Sequence, residues 1–422
     1  MTRVVERAAA ILRGVAGVPR LAVSKLADRP GMAKSRSKAL TFVLTIGVMS
    51  FFADFTYEGS RSIVGPYLGL LGAGALAISV VTGFGELLGY GLRLISGPGA
   101  DRTGRYWPIT IAGYLLQMSV VPLLALAGSW EVAAVLVVLE RVGKAIRNPP
   151  RDAMLSHAAS EIGYGRAFGL HEALDQFGAT FGPLFVALIL LVDQHRYKLA
   201  FALLAVPAVI ELSLLAVARV TYPRPADLEP SPARISTTQR MPRVFWVYLA
   251  GAALVGAGFA DFPLIAYHLE KARVVSTTLV PVFYAVAMAV GGAGSLVFGR
   301  LFDRFGMRLL LPLTVLSGIY APLAFLGGFW TSFVGIILWG VGTGVQESII
   351  PAAVAAMVSR DRRASAFGIF TGGYGIAWFL GSTVIGLLYG VSLPALVVFS
   401  LVAEAAALPL FLAARRQAEA RR

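Results

Sequence analysis

The sequence predicts an all-α integral membrane protein of twelve transmembrane helices, arranged as two pseudo-symmetric six-helix bundles. Three observations predict this fold: the composition, a series of long apolar stretches, and an internal repeat. Apolar residues make up 57% of the 422 residues and charged residues 14%, below the about 25% usual in soluble domains. The mean hydropathy is +0.73. This composition excludes a soluble enzyme and a disordered chain.

The chain is also strongly basic, with 37 Lys and Arg against 23 Asp and Glu and a net charge of +14. Nucleic-acid binding is excluded because it would need a soluble basic domain. The bases concentrate instead in the polar segments between the apolar stretches, whereas acids outnumber bases inside the stretches. Cysteine is absent, so no disulfide forms.

The first polar segment, residues 1–38, is too long and too charged for a signal peptide. We expect a basic cytoplasmic extension. Its apolar residues recur at helical spacing, and two interpretations stay open: a segment lying on the membrane surface, or a loosely ordered tail.

From Ala39 onward, apolar stretches long enough to cross the hydrocarbon core as helices follow one another. Open strands cannot cross lipid, and no alternating pattern indicates a barrel. The predicted spans are 39–69, 76–97, 107–128, 131–150, 164–192, 197–218, 244–268, 277–299, 309–328, 330–358, 364–389 and 392–413.

A proline-rich polar segment, residues 221–243, divides the spans into two sets of six and is predicted to be a linker. The N-terminal bundle then covers residues 39–220, the C-terminal bundle 244–414, and a short tail 415–422. Most loop bases fall on the side of the N terminus. The positive-inside rule therefore predicts that both termini and the linker lie in the cytoplasm, with the bundles in the inner membrane.

The two halves repeat short motifs in the same order. Phe-Ala-Asp-Phe of residues 52–55 recurs at 259–262, and Gly-x3-Asp-Arg-x-Gly of residues 97–104 recurs at 299–306. Three shorter matches follow: 142–143 with 341–342, 167–169 with 366–368, and Gly182 with Gly381. The sequence distance between the copies falls slowly, as small loop deletions would produce. The matches indicate a parallel repeat, which is typical of transporters.

Twelve spans, this repeat and the segment Gly97–Arg105 resemble the major facilitator superfamily, and the segment resembles its motif A. The resemblance covers nearly the whole chain from Ala39 to Ala414, and it implies the major facilitator fold. It also implies that the motif's Asp, here Asp101, locks the outward-facing state, with Arg102, Arg105 and Arg151 as candidate partners. A tight basic turn that only fixes topology is the alternative. The implied gating residues are Gly97, Asp101, Arg102, Gly104, Arg105, Asp303 and Arg304.

In the fifth span, Gly169, Gly178, Gly182 and Pro183 resemble the superfamily's motif C, which is associated with antiporters and exporters. Such glycines let a neighbouring helix approach closely, and Pro183 is expected to bend the helix. Two further glycines of the family pattern are a valine and an alanine here. The resemblance implies the drug/metabolite:proton antiporter branch, and ordinary small-residue packing is the alternative.

Charged residues at bilayer depth occur on four helices of the first half. Each costs about 2.5–3.5 kcal/mol if it meets lipid, so they should face one another or water. Helical spacing places them on one face of each helix. They are predicted to line a shared polar cavity in the N-terminal half: Asp54, Glu58, Arg61, Glu86, Arg93, Glu140, Arg141, Lys144, Arg147, His171, Glu172 and Asp175.

The second half has fewer buried charges, chiefly Asp261 and Glu347, and would supply a more apolar or aromatic wall. Proton coupling needs a carboxylate that titrates as access alternates. A permanent ion pair with a base of the fourth helix is the alternative for each acid. The coupling candidates are Asp54, Glu58 and Asp175, followed by Glu86.

The fourth span carries the bases for this coupling. In the superfamily's motif B an arginine of this helix is linked to proton coupling, but the usual Arg-to-Gly spacing is not met. Arg141, Lys144 and Arg147 are therefore alternatives for that role. Pro149 and Pro150 are expected to break the helix near its cytoplasmic end.

The sequence lacks the residue patterns that metal binding, ATP binding or catalysis would require. The 4 histidines are scattered without metal-ligand spacing, so no metal is expected. No phosphate-binding Gly-x4-Gly-Lys-Ser/Thr loop occurs, so neither ATP nor another cofactor is expected. No motif of a catalytic nucleophile occurs, so an enzyme is not expected.

The leading hypothesis is a monomeric secondary active transporter. It would move a small solute by alternating access, coupled to protons and directed outward, with the solute bound near the midplane between the halves. A receptor, scaffold or lipid-moving protein with the same fold and no ion coupling is the alternative. A membrane enzyme is a third hypothesis, without a catalytic constellation. The sequence does not name the solute.

Overall fold

Helices form nearly all of the described chain in a computed structural model, which describes residues 30–193, 196–223, 241–358 and 363–419. No strand occurs in these ranges, as the predicted class requires. Ala39–Arg422 forms one unit and Met1–Lys38 another. Most of the predicted extension (residues 1–29), the middle of the linker (224–240) and the end of the tail (420–422) lie outside the described residues.

Within the described residues the first half has seven helices, and they follow the apolar stretches of the sequence. They are α1 (Pro30–Leu70), α2 (Ala75–Thr103), α3 (Tyr106–Leu123), α4 (Trp130–Ile162), α5 (Tyr164–Val192), α6 (Tyr197–Leu203) and α7 (Ala205–Thr221). A 3-10 turn, Leu124–Leu126, continues α3. One span contains both α6 and α7.

The described part of the second half has eight helices. They are α8 (Arg243–Gly258), α9 (Phe262–Lys271), α10 (Leu279–Phe305), α11 (Leu310–Gly318), α12 (Tyr320–Leu326), α13 (Phe329–Met357), α14 (Arg363–Val391) and α15 (Leu393–Glu419). One span contains α8 and α9, and another α11 and α12. We call the side on which α2 and α10 end the motif side, and the other the opposite side.

Within the described ranges, 11 spans are long and apolar enough to cross a membrane, against the twelve predicted. The exception is α4, which has 33 residues but carries too many charges. Glu140, Arg141 and Arg147 are all buried on it. Because α4 packs among α2, α3 and α5, these charges meet protein rather than lipid.

Two helices run past their predicted ends. The predicted loop Gly97–Arg105 is mostly helix, because α2 continues to Thr103 and ends at Gly104, whose φ is 63°. The predicted break at Pro149 and Pro150 is also wrong, since α4 continues through both to Ile162. Neighbouring helices allow prolines inside membrane helices, because they can satisfy the freed backbone groups.

The seventh predicted span is two helices rather than one. α8 ends at Gly258, and α9 begins at Phe262, whose N–H donates to the Asp261 carboxylate at 3.0 Å. Pro263, in the first turn of α9, has no N–H to leave unpaired. The matching segment Phe52–Phe55 lies inside the continuous helix α1. The sequence repeat is therefore not a structural repeat at this point.

Side chains satisfy the backbone groups that this break exposes. The Ala260 N–H donates to the Tyr320 hydroxyl, and the Trp339 indole N–H donates to the Ala260 carbonyl at 2.9 Å. The Ser400 hydroxyl donates to the Gly258 carbonyl at 2.6 Å. Unwound backbone at membrane depth is stable only when it is satisfied in this way.

Glycines of α5 bring α1 into close contact. A Cβ at Gly178 would collide with the carbonyl oxygen of Phe51, and one at Gly182 with that of Phe55. Gly169 is exposed and has no atom within 4 Å of its Cβ position. In this structure Gly169 therefore does not take part in the predicted close packing.

We expect Gly182→Ala to destabilise the protein by about 1–3 kcal/mol, because the methyl group would push α1 away from α5. Gly169→Ala is the matched control and should be neutral or stabilising by up to about 1 kcal/mol, from helix propensity alone. Thermal unfolding in detergent measures both. Equal effects of the two substitutions would contradict the assigned contact.

Candidate functional site

A cavity of about 680 Å³ lies between the two halves. Its walls come from α1, α2, α4 and α5 on one side and from α10, α13 and α14 on the other. The predicted cavity residues that line it are Asp54, Glu58, Arg61, Glu86, Arg93, Arg141, Lys144, Arg147, His171, Glu172, Asp175 and Glu347. The charged faces of the first half turn toward the second bundle, which contributes aromatic residues and Glu347 to the lining.

Two predicted cavity residues lie outside this lining. Glu140 is buried against α3, where its carboxylate accepts a hydrogen bond from the Gln117 amide. Asp261 lies at the break between α8 and α9, with its side chain 2% exposed. For both residues, helical spacing gave the approximate face of the helix but not the partner on the neighbouring helix.

Arg61 of α1 joins the two halves at the closed end of the cavity. Its guanidinium donates to the Asp261 carboxylate, and it lies 3.5 Å from the Glu86 carboxylate. One turn away, Glu58 accepts a hydrogen bond from the Tyr284 hydroxyl of α10. Two charge-assisted hydrogen bonds therefore hold α1 against the second half.

Direct contacts close the opposite side. A Cβ at Gly65 would collide with the Pro263 carbonyl oxygen, so α1 and α9 touch through their backbones. The Tyr197 hydroxyl donates to the Glu270 carboxylate, and the Thr278 hydroxyl donates to a carbonyl of α5 at 3.2 Å. The cavity extends from the middle of the helices toward the motif side. This conformation is therefore closed on the opposite side.

The arginines of α4 each have a carboxylate partner. Arg141 binds Glu86 at 2.8 Å, and Arg147 lies 3.5 Å from Asp54. Arg151 binds Asp152, the next residue on α4, at 2.8 Å. Asp54 and Glu86 are thus ion-paired in this conformation.

Arg147 is fully buried and connects three helices. It donates to the Gln117 side chain and, at 2.9 Å, to the Tyr114 hydroxyl, both on α3. Its guanidinium lies 4.4 Å from the centre of the Tyr114 ring. These neutral partners were missed by the sequence reasoning, although Tyr114 and Gln117 form a polar edge at i, i+3 on the apolar α3. Because α4, α3 and α1 all contact it, Arg147 has little freedom to move.

Sequence reasoning also missed two buried acids on outer helices, Glu211 of α7 and Glu404 of α15. Neither oxygen of Glu211 has a hydrogen-bond partner, and its charge interacts with that of Arg147. Glu404 accepts a hydrogen bond from Ser317 at 3.2 Å. The available signal was an acid inside an apolar span, which is costly wherever it meets lipid.

His171, Glu172 and Asp175 form a cluster on α5. Each offers one potential metal-ligand atom, and these atoms lie within 4.8 Å of one another. The Ser50 hydroxyl bridges this cluster to α4, since it lies 2.8 Å from the His171 ring and accepts from Arg151 at 3.0 Å. The cluster has the donor types of a divalent-cation site, but the adjacent guanidinium opposes a cation.

Comparison with known proteins decides the family. The model of the Major Facilitator Superfamily matches residues 46–331. This chain belongs to the Major Facilitator Superfamily. An uncharacterized protein of Mycobacterium tuberculosis (strain ATCC 25618 / H37Rv) is 42% identical over 393 residues, covering 92% of this chain and 96% of that protein. An uncharacterized MFS-type transporter of Methanocaldococcus jannaschii is 25% identical over 369 residues, covering 83% and 89%.

Solved structures show the same fold. A crystal structure of the nucleoside transporter NupG superimposes with a TM-score of 0.67 at 14% sequence identity, covering 89% of this chain and 98% of that one. At this identity the likeness shows the fold alone. The predicted major facilitator fold is confirmed, and this member of the Major Facilitator Superfamily is a membrane transporter.

The superfamily's motif A lies at the end of α2, and its second copy at the end of α10. The side chains of Asp101 and Asp303 lie outside the described residues. The other charged members, Arg102, Arg105 and Arg304, are exposed. Arg151, a predicted partner of Asp101, donates hydrogen bonds to Ser50 and Asp152. The gating role of the motif stays a prediction.

Proposed function

We propose that this transporter is secondary active: it moves a small solute by alternating access, is driven by protons, and exports the solute from the cytoplasm. The observation that carries the proposal is the cavity, which is lined by carboxylates and is closed on one side only. In the proposed orientation both termini lie in the cytoplasm, so the cavity faces the cytoplasm.

Alternating access needs contacts that form in one state and part in the other. The Arg61–Asp261 and Glu58–Tyr284 hydrogen bonds are suited to this role, because each joins α1 to the second half. When they part, the opposite side opens. Motif A is then proposed to hold the motif side closed, through Asp101.

Proton coupling is proposed for Asp54 and Asp175. Asp54 lies 3.5 Å from Arg147 within the first half, and gain of a proton by Asp54 would break this ion pair. Asp175 lies 3.6 Å from the His171 ring, and its second oxygen is buried without a hydrogen-bond partner. A carboxylate that loses and regains such partners binds and releases a proton as access alternates.

Export is supported by the likeness of α5 to motif C. Two glycines of this segment, Gly178 and Gly182, contact α1 directly. Both helices also line the cavity. A close backbone contact at this position lets α1 and α5 move together when the halves rock.

Flux measurements in proteoliposomes test the proposal, with a solute found by thermal-shift screening of the purified protein at two pH values. We expect Asp54→Asn and Asp175→Asn to abolish flux driven by a pH gradient while leaving expression intact, because neither amide binds a proton. Glu131→Gln, on the exposed start of α4, is the control and should keep full flux. Full flux in both cavity variants would contradict proton coupling through these acids.

A further inference from the structure

Ion pairs neutralise many of the charges of the cavity, and charges that remain unpaired indicate what the solute has to supply. Each arginine of α4 has a carboxylate partner, and so does Arg61. Within the described part of the chain, two cavity bases have no carboxylate partner, Lys144 and Arg93. Their positive charges are available to a ligand.

Lys144 and Arg93 rest on tyrosine rings rather than on acids. The Lys144 ammonium lies 3.8 Å from the centre of the Tyr57 ring, and the Arg93 guanidinium 5.5 Å from that of Tyr90. A cation over an aromatic face keeps its charge and its hydrogen-bond donors. Both bases belong to the first half.

The second half supplies the complementary group, Glu347 of α13. It is exposed at the cavity, and no hydrogen bond or ion pair satisfies its carboxylate among the described residues. The Lys144 ammonium lines the same cavity and makes no contact with this carboxylate within 4.0 Å. An unpaired base and an unpaired acid therefore face the same space from opposite bundles.

Neutral donors near Glu347 also lack acceptors. The Gln346 amide nitrogen and the Trp378 indole nitrogen are buried, line the cavity and have no hydrogen-bond partner. The Gln346 oxygen is already occupied by the Tyr374 hydroxyl at 2.6 Å. Because a buried donor without an acceptor is energetically unfavourable, these groups favour a ligand rich in acceptor atoms.

Aromatic rings connect these polar groups. The Tyr90 ring of α2 lies 5.8 Å from the Tyr374 ring of α14, which lies 5.8 Å from Trp378 and 5.9 Å from Phe370. Such a surface binds the flat or apolar body of a solute. The cavity, about 680 Å³, falls within the range of small-molecule sites.

We infer that the solute is a zwitterion with an aromatic or apolar body, whose acidic group binds Lys144 and Arg93 and whose ammonium group binds Glu347. A solute in this position connects α4 of the first half to α13 of the second, and it brings a negative group to the two bases and a positive group to Glu347. This inference rests on the proposed function, since it takes the cavity as the transport site.

Four forms of one dipeptide test the inference on the purified full-length protein at pH 7. Phenylalanyl-phenylalanine is the zwitterion, its N-acetyl form the anion, its amide the cation, and the doubly capped form is neutral. Binding is followed by tryptophan fluorescence, because Trp339 and Trp378 line the cavity. We expect the zwitterion to bind at least about tenfold more tightly than any other form, as one lost charge-assisted hydrogen bond would produce.

Variants of the cavity residues test which protein group binds each charged group of the solute. In Glu347→Gln the zwitterion should bind no better than the anion, and in Lys144→Met, alone or with Arg93→Met, no better than the cation. The controls Glu131→Gln and Lys198→Met change exposed residues outside the cavity and should keep the wild-type preference.

Three results would overturn the inference: no binding of any form, equal affinity for all four, or variants that weaken all four forms alike. The last result would mean that Lys144 and Glu347 support the structure of the cavity rather than bind the charges of the solute. A zwitterion-selective protein without flux driven by a pH gradient would overturn the proposed function and leave this inference standing. If a pH gradient drives flux of a solute that lacks either charge, this inference is overturned and the proposed function stands.

Discussion

Replacing Asp261 with asparagine is expected to open the opposite side of the transporter. Asparagine can still accept the hydrogen bond from the Phe262 N–H that begins α9, so the local helix start is kept. What is lost is the negative charge that the Arg61 guanidinium binds. Breaking a buried ion pair by removing one partner costs about 3–5 kcal/mol, or more than about a hundredfold in a two-state equilibrium.

Distance measurements between spin labels check this result. The chain has 0 cysteines, so pairs can be introduced without background labelling. One pair, Leu126 and Val391, lies on the opposite side in different bundles, and both side chains are highly exposed. A second pair, Arg166 and Arg300, lies toward the motif side. In Asp261→Asn we expect the first distance to lengthen and the second to shorten.

Asp193→Asn is the matched control for this experiment. It breaks the ion pair with Arg196, also on the opposite side, but both side chains are about half exposed. Exposed pairs contribute about 0–1 kcal/mol, so the label distances should not change. Unchanged distances in Asp261→Asn would show that the pair does not hold the two halves together.

Arg147→Met is expected to abolish transport and to destabilise the folded protein by about 3–5 kcal/mol. The substitution leaves Asp54 without its base and removes the donors that bind Gln117 and Tyr114. Arg147→Lys keeps the charge but should also lose most transport, because a single ammonium cannot reproduce the forked geometry of a guanidinium.

Unfolding in detergent and flux in proteoliposomes separate the two effects. In the double variant Arg147→Met and Asp54→Asn, part of the stability should return, because no unpaired acid is left beside α4. Transport should stay absent, since the proposed proton site is gone. Arg219→Met, at the exposed end of α7, is the control and should change neither quantity. Stability that falls equally in the single and double variants would contradict a direct Arg147–Asp54 interaction.

Much of the site was predictable because charged side chains inside apolar stretches are energetically costly and can be seen directly in the sequence. A charge within an apolar stretch has to face water or another charge, so the cavity residues of α1, α2, α4 and α5 could be named from spacing alone. The same reasoning placed Glu140 in the cavity wrongly, because it cannot tell a water-filled space from a neutral partner such as Gln117.

The break between α8 and α9 shows a different limit. The segment matches a continuous part of α1 in the sequence repeat, and its apolar neighbours predict one helix. Asp261 followed by Pro263 is typical of a helix start. The interruption of the helix there depends on Tyr320, Trp339 and Ser400, which satisfy the exposed backbone groups. These partners come from other helices, so local sequence cannot reveal them.

The sequence by itself determined the class, the spans, the repeat and the set of intramembrane charges, because each follows from the cost of placing polar groups in lipid. Only the tertiary structure decided how those charges pair. Arg61 meets Asp261, Glu58 meets Tyr284, and Lys144 and Glu347 line one cavity from opposite bundles. The rotation of each helix and the position of one bundle against the other set these partners, and both arise from packing between segments that are far apart in the chain.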